Sequence, residues 1–147
     1  MKVLIIEDEA PAYRRLNTLL TKNHQDLEVI EVIDSVSEAV KWLRIHQAPN
    51  LIFSDIQLAD GLSFEIYKQV EVACPIIFTT AYDEYMMDAF ETNGIDYLLK
   101  PIEENSLNRS ISKFRKLTAA DSSAQSPIGD LLEALEKKEK KYKNRFL

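Results

Sequence analysis

Acidic, hydroxyl and ammonium side chains recur where short apolar runs end. Glu7-Asp8-Glu9 follows Val3-Leu4-Ile5-Ile6, and Asp55 closes the run that starts at Leu51-Ile52-Phe53. Thr79-Thr80 follows Pro75-Ile76-Ile77-Phe78, and Lys100-Pro101 follows Ile95 to Leu99. Taken singly these are ordinary residues. An Asp at a strand end is usually a turn former or helix cap, Lys100 a solvated lysine, and Thr80 a β-branched strand terminus. Taken together they form a set with one chemistry. Several carboxylates at one edge repel each other, and a hard cation such as Mg²⁺ supplies the counter-charge, held by one or two carboxylates, water and a phosphate oxygen. An Asp carboxylate is also a competent nucleophile that forms an acyl phosphate. Phosphoryl transfer chiefly needs its equatorial oxygens neutralised. Lys100 and Mg²⁺ would do that, and the Thr80 hydroxyl would donate a hydrogen bond.

That chemistry requires the apolar runs to be neighbouring strands. Val3–Ile6, Val29–Ile33, Leu51–Phe53, Pro75–Phe78 and Ile95–Leu99 are continuously apolar or β-rich, as buried parallel strands are. Helical periods alternate with them. Pro11 suits a first helical turn before Ala12, Leu16, Leu19 and Leu20, and Ser35 with Glu38 forms a capping-box pair ahead of Ala39, Val40 and Leu43. A loop around Gly61 leads to a helix from Phe64 to Val70. A fourth helix is expected from about Glu84 to Thr92, with Met86, Ala89 and Phe90 as its apolar face. Leu107, Ile111 and Phe114 mark a fifth. Five strict β-then-α repeats predict an α/β fold with a doubly wound, five-stranded parallel sheet and helices on both faces. The common order is the flavodoxin-like 2-1-3-4-5. In such sheets ligands sit at the carboxyl ends of the strands near the switch point, where all four polar strand ends would meet.

Composition narrows the setting. An apolar fraction of 46% over 147 residues is enough for one domain with a full core and a short extension. No apolar run approaches the roughly 18 residues that cross a bilayer, and the acidic start is not that of a secretory signal. The single cysteine, Cys74, reads as a buried structural thiol and fits a reducing cytoplasm. His24 and His46 are too far apart to suggest a zinc site. The net charge is −6, and residues 128–147 hold six basic and four acidic side chains, which leaves −8 on residues 1–127. So acidic a domain repels nucleic acid.

After Leu117 the stretch Thr-Ala-Ala-Asp-Ser-Ser-Ala-Gln-Ser-Pro reads as a linker over residues 118–127. Ile128, Leu131, Leu132 and Leu135 then space as a short amphipathic helix, followed by the charged run Glu136 to Lys141, whose default role is a solvated helix face. Tyr142 to Leu147 reads as a strand cut short, and a further domain is expected beyond it.

Ile5-Ile6-Glu7-Asp8-Glu9, Ser54-Asp55-Ile56, Phe78-Thr79-Thr80-Ala81-Tyr82 and Asp96-Tyr97-Leu98-Leu99-Lys100-Pro101 resemble the successive motifs of response-regulator receiver domains, over about residues 1–117. The resemblance implies that Asp55 is the phosphoacceptor and that Asp8, Asp55 and the main-chain carbonyl of Gln57 bind Mg²⁺. Glu7, where Asp is commoner, would reach the metal through water. It further implies phosphoryl contacts from Thr80 and Lys100, a cis Lys100–Pro101 peptide, and a switch that couples Thr80 to Tyr97. Tyr97 read on its own is a half-buried strand aromatic. The implied donor is a sensor histidine kinase, and the implied output is homodimerisation through the fourth helix, fifth strand and fifth helix. Such a protein assists its own phosphorylation and dephosphorylation without being a turnover enzyme. Thr80-Ala81-Tyr82-Asp83-Glu84-Tyr85, Ala89-Phe90-Glu91 and Gly94 to Pro101 are also similar to LytR/AlgR-type regulators, which carry a LytTR DNA-binding domain after the receiver. DNA would be met only through that domain, and no membrane is involved.

Besides Glu7, the loop after Asp55 departs from the common receiver pattern: Ala59 stands where many have Pro and Ser63 where many have Gly, with Gly61 falling early. Loop geometry and phosphate lifetime therefore stay open. Other classes fit less well. A haloacid-dehalogenase-like phosphatase wants its nucleophile after the first strand, with a second Asp two residues on, where Asp55 has Gln57. An FMN binder wants a Ser/Thr/Gly-rich first loop, and Glu7-Asp8-Glu9-Ala10-Pro11 would repel phosphate without a metal. A receiver-like interaction module that takes no phosphate is the remaining alternative.

Overall fold

The computed structural model describes residues 1–82, 84 and 94–125, with side chains to residue 119. The order of elements is β1 (Lys2–Ile6), α1 (Ala10–Asn23), β2 (Glu28–Ile33), α2 (Val36–Ile45), β3 (Leu51–Asp55), β4 (Gln57–Leu58), β5 (Gly61–Leu62), α3 (Phe64–Gln69), β6 (Ile76–Thr80), β7 (Gly94–Leu99) and α4 (Glu104–Gln125). The helix expected over 84–92 and the segment 128–147 lie outside the described residues.

The main sheet has five parallel strands in the order β2-β1-β3-β6-β7, with β3 central. In order of occurrence among the parallel strands this is 2-1-3-4-5. Strands β3 and β6 are buried at every residue, which matches their uninterrupted apolar character. On one face Leu4, Ile6, Ile52, Ile76 and Phe78 pack with Val36, Ala39 and Val40 of α2 and with Phe64 and Ile66 of α3. Phe78 is the aromatic centre of this layer, its ring centroid 5.3 Å from that of Phe64 and 5.9 Å from that of Tyr67. Strand alternation turns Val3, Ile5, Leu51, Phe53 and Ile77 to the other face, and all five are buried. Leu16, Leu19 and Leu20 of α1 and Leu107 of α4 are buried outside the first layer. Polar contacts join α1 to the start of α4: Arg15 Nε donates to the Ile102 carbonyl at 2.6 Å, and Asn23 donates to Glu104 at 2.7 Å.

The chain divides into two compact units, Met1–Ser110 and Ile111–Leu147, with the boundary inside α4. In the second unit α4 continues to Gln125, through most of the stretch expected as a linker. Its residues from Thr118 to Gln125 include no Gly or Pro, and the alanines among them favour a helix; the first proline comes at position 127. Thr118 Oγ1 also donates to the Phe114 carbonyl at 3.0 Å, inside the helix.

Candidate functional site

Four parallel strands deliver polar side chains to one rim. β1 ends at Ile6, so Glu7 and Asp8 emerge at its carboxyl end, while Asp55 is the last residue of β3, Thr80 the last of β6, and Lys100 follows β7. Register makes them neighbours, since Asp55 pairs with Thr79 and Thr80 with Leu99. The ladder continues one step further, with the Lys100 N–H donating to the Thr80 carbonyl at 2.7 Å. The Lys100–Pro101 peptide is cis.

The groups meet at Lys100. Its Nζ lies 3.0 Å from Asp55 Oδ2, 2.9 Å from Glu7 Oε1 and 3.2 Å from Glu9 Oε1. Glu7 and Asp55 are buried, each about 4% exposed, so both carboxylates are held against their cation with little water. Burial pushes the Glu7 carboxyl up to about 7; the hydrogen bond from Lys100 opposes that rise and the charge of Asp55 adds to it. Burial works to lower the Lys100 ammonium, but its hydrogen bond to Glu7 and the charge of Asp55 outweigh burial and hold it above the ordinary lysine range.

Carboxylate oxygens of Glu7, Asp8 and Asp55 all lie within 4.8 Å of one another. An all-oxygen set of this kind suits a hard divalent cation. A cavity of about 210 Å³ opens beside Asp55, lined among others by Asp8, Gln57, Thr80 and Lys100. Thr80 is buried, and its Oγ1 accepts the Tyr82 N–H at 3.2 Å. Tyr97 reaches the same segment from β7, its hydroxyl donating to the Tyr82 carbonyl. Thr80 and Tyr97 are therefore two hydrogen bonds apart. Cys74 is buried, and burial raises its thiol to about 11, as befits an inert core residue.

Two participants were not legible from motif spacing. In the sequence Glu9 reads only as a flanking acid, yet it shares the Lys100 ammonium. Asp60, in the loop after Asp55, accepts the N–H groups of Val36 and Ser37 at 2.8 and 3.1 Å. Ser35 Oγ does accept from Glu38 N–H at 3.1 Å, whereas the Glu38 carboxylate pairs with Lys41 at 3.5 Å. The Asp60-Gly61 dipeptide signals a turn, but no local pattern links it to a helix more than twenty positions earlier.

The family model of the response regulator receiver domain matches residues 3–112. Sensory transduction protein LytT of Bacillus cereus is 37% identical over 119 residues, which cover 79% of this chain and 48% of that protein. Transcriptional regulatory protein LytR of Staphylococcus aureus is 34% identical over 137 residues, 91% of this chain and 55% of that one. The crystal structure of the response regulatory domain of protein mrkE from Klebsiella pneumoniae is similar at a TM-score of 0.66 and 35% identity, covering 82% of this chain and 97% of that one. The chain spans about half the length of the curated relatives it matches.

Proposed function

The chain belongs to the response regulator receiver domain family, and from that premise we propose that it is a phosphorylation-dependent signalling receiver whose phosphoacceptor is Asp55. One observation carries the reading: Asp55 ends the central strand 3.0 Å from the Lys100 ammonium and within 4.8 Å of the Glu7 and Asp8 carboxylates, beside an open cavity.

In the proposed reaction an Asp55 carboxylate oxygen bonds to phosphorus as the P–N bond of a phosphohistidine on a sensor histidine kinase breaks. The electron pair returns to the imidazole nitrogen, which takes a proton from water. Asp8, Asp55 and the Gln57 carbonyl would hold Mg²⁺, with Glu7 reaching it through water. When bound, that ion supplies positive charge against the phosphoryl oxygens. Lys100 contributes the second positive charge and is already at the acceptor. The Thr80 hydroxyl donates to a phosphoryl oxygen, and its movement toward the phosphate alters its bond to Tyr82 and releases the Tyr97 hydroxyl. The outcome is a shift of population between two packings on a face that includes β7 and the start of α4, where a homodimer would form. The relatives named as sensory transduction and transcriptional regulatory proteins support an output in transcription regulation; the resemblance to LytR/AlgR-type regulators implies that it would act on DNA through a further domain.

The test is phosphorylation by acetyl phosphate with Mg²⁺. The protein should acquire an acid-stable, alkali-labile phosphoryl group, and the Asp55→Asn variant should acquire none. An adduct that persists in that variant, or its absence from the unaltered protein, would sink the assignment; the second result would favour an interaction module that takes no phosphate.

A further inference from the structure

The segment after Asp55 forms a minimal hairpin, in which Gln57–Leu58 pairs with Gly61–Leu62 around Ala59 and Asp60. Gly61 adopts a φ of +146°, a conformation that strains any residue with a Cβ. The root of the hairpin is fixed on both sides. The Ile56 N–H donates to the Thr79 carbonyl at 2.9 Å, and the Ile56 carbonyl accepts the Ser63 N–H at 2.7 Å. Two-residue strands have little stability of their own, so the position of the tip depends on something else.

That other hold is Asp60. Its Oδ1 accepts the Val36 N–H at 2.8 Å and its Oδ2 the Ser37 N–H at 3.1 Å, the first two donors that helix α2 leaves unsatisfied. Ser35 Oγ independently takes the Glu38 N–H of the same turn. The hydrogen bond from Val36, the largest influence, holds the Asp60 carboxyl below the usual range, so it is a charged acceptor at the positive end of a helix. Leu58 of the hairpin shares a buried cluster with Val36, Ala39 and Val40 of α2, and Leu62 packs against it. Asp60 itself is not in the lining of the cavity beside Asp55, but Gln57, Leu58 and Ala59 are.

We propose that Asp60 is a positioning residue: by tying the hairpin tip to the first turn of α2, it holds the Gln57 main chain at the edge of the Asp55 cavity and so sets cation affinity and the lifetime of the phosphoryl group. The proposal rests on the reading of Asp55 given above. With the tip released, the Gln57 carbonyl would have to be ordered at the moment of cation binding, which weakens binding without removing a ligand.

The experiment compares Asp60→Ala, Asp60→Asn and Ser35→Ala in the full chain. Mg²⁺ binding is titrated by calorimetry, amide exchange is followed over residues 57–62, and adduct lifetime is measured after acetyl phosphate treatment. Asp60→Ala should raise the half-saturating Mg²⁺ concentration about five-fold or more and speed exchange across the hairpin. Asp60→Asn, which keeps one acceptor, should fall between it and the unaltered protein. Ser35→Ala loosens the same helix end without touching the hairpin, and should leave Mg²⁺ binding within about two-fold. Equal losses in Asp60→Ala and Ser35→Ala would reduce Asp60 to a helix cap and overturn the proposal. So would unchanged Mg²⁺ binding in Asp60→Asn if Asp60→Ala fails to fold. Persistence of the adduct in Asp55→Asn would instead remove the phosphoacceptor reading, leaving the Mg²⁺ and exchange results to judge Asp60 alone.

Discussion

Lys100 Nζ lies 3.0 Å from Asp55 and 2.9 Å from Glu7, so one ammonium bridges two carboxyl groups whose side chains are both about 6% exposed. Without it the two buried acidic groups would face each other with no cation between them. The lysine thus pairs both buried acids and places a cation beside the carboxylate proposed to accept the phosphoryl group.

Removing that ammonium should be costly. Lys100→Ala leaves clustered carboxylates without their cation, and losing one partner of a buried pair costs about 3–5 kcal/mol. Urea midpoints should fall accordingly in metal-free buffer, and millimolar Mg²⁺ should restore part of the loss. If Mg²⁺ restores nothing, the acidic group does not bind it.

Stability of the metal-free protein should depend on pH through Glu7. Its folded carboxyl titrates near 7 and its unfolded one near 4.5. The folded state therefore binds more protons between those values. The stabilisation tied to a protonated Glu7 is fully present below about 4.5 and is lost as pH rises toward 7, with a slope of up to about 1.4 kcal/mol per pH unit. Glu7→Gln should flatten that slope, seen as a difference between the two urea-stability profiles. Parallel profiles would show that Glu7 titrates normally.

The Thr80–Tyr82–Tyr97 connection predicts a loss of coupling without a loss of chemistry. In Tyr97→Phe the hydroxyl that donates to the Tyr82 carbonyl is gone, at a cost of about 0.5–1.5 kcal/mol. Adduct formation on Asp55 should continue, while the change in dimerisation proposed to follow phosphorylation, measured by sedimentation, should shrink. An undiminished change would exclude Tyr97 from the switch.

Phe78 tests the layer beneath the site. It is fully buried between Phe64 and Tyr67, so Phe78→Ala should cost about 3–5 kcal/mol in chemical denaturation. Phe78→Leu keeps most of the volume and should cost clearly less.

Much of this molecule is legible in one dimension because its regularities are local. The runs Val3–Ile6, Leu51–Phe53 and Ile76–Phe78 announce buried strands by being apolar without interruption, and their alternation with helical periods leaves few topologies. Since strand ends in a parallel sheet share one rim, Glu7, Asp8, Asp55, Thr80 and Lys100 could be grouped before any distance was known. The extent of α4 was harder to see, because small polar residues such as those at 118–125 suit a loop and a helix almost equally.

What the sequence alone determined is the fold class and the chemistry available at the rim, which follow from periodicity and residue type; the strand order was the one common to five such repeats. Only the tertiary structure decided how the charges are partnered. It gave the Lys100 ammonium to Glu7, Glu9 and Asp55 together, and the first N–H groups of α2 to Asp60 more than twenty positions away. The physical reason is that a hydrogen bond or ion pair depends on separation in space to a few tenths of an ångström. No pattern along the chain carries that quantity until the sheet and its helices have brought the groups together.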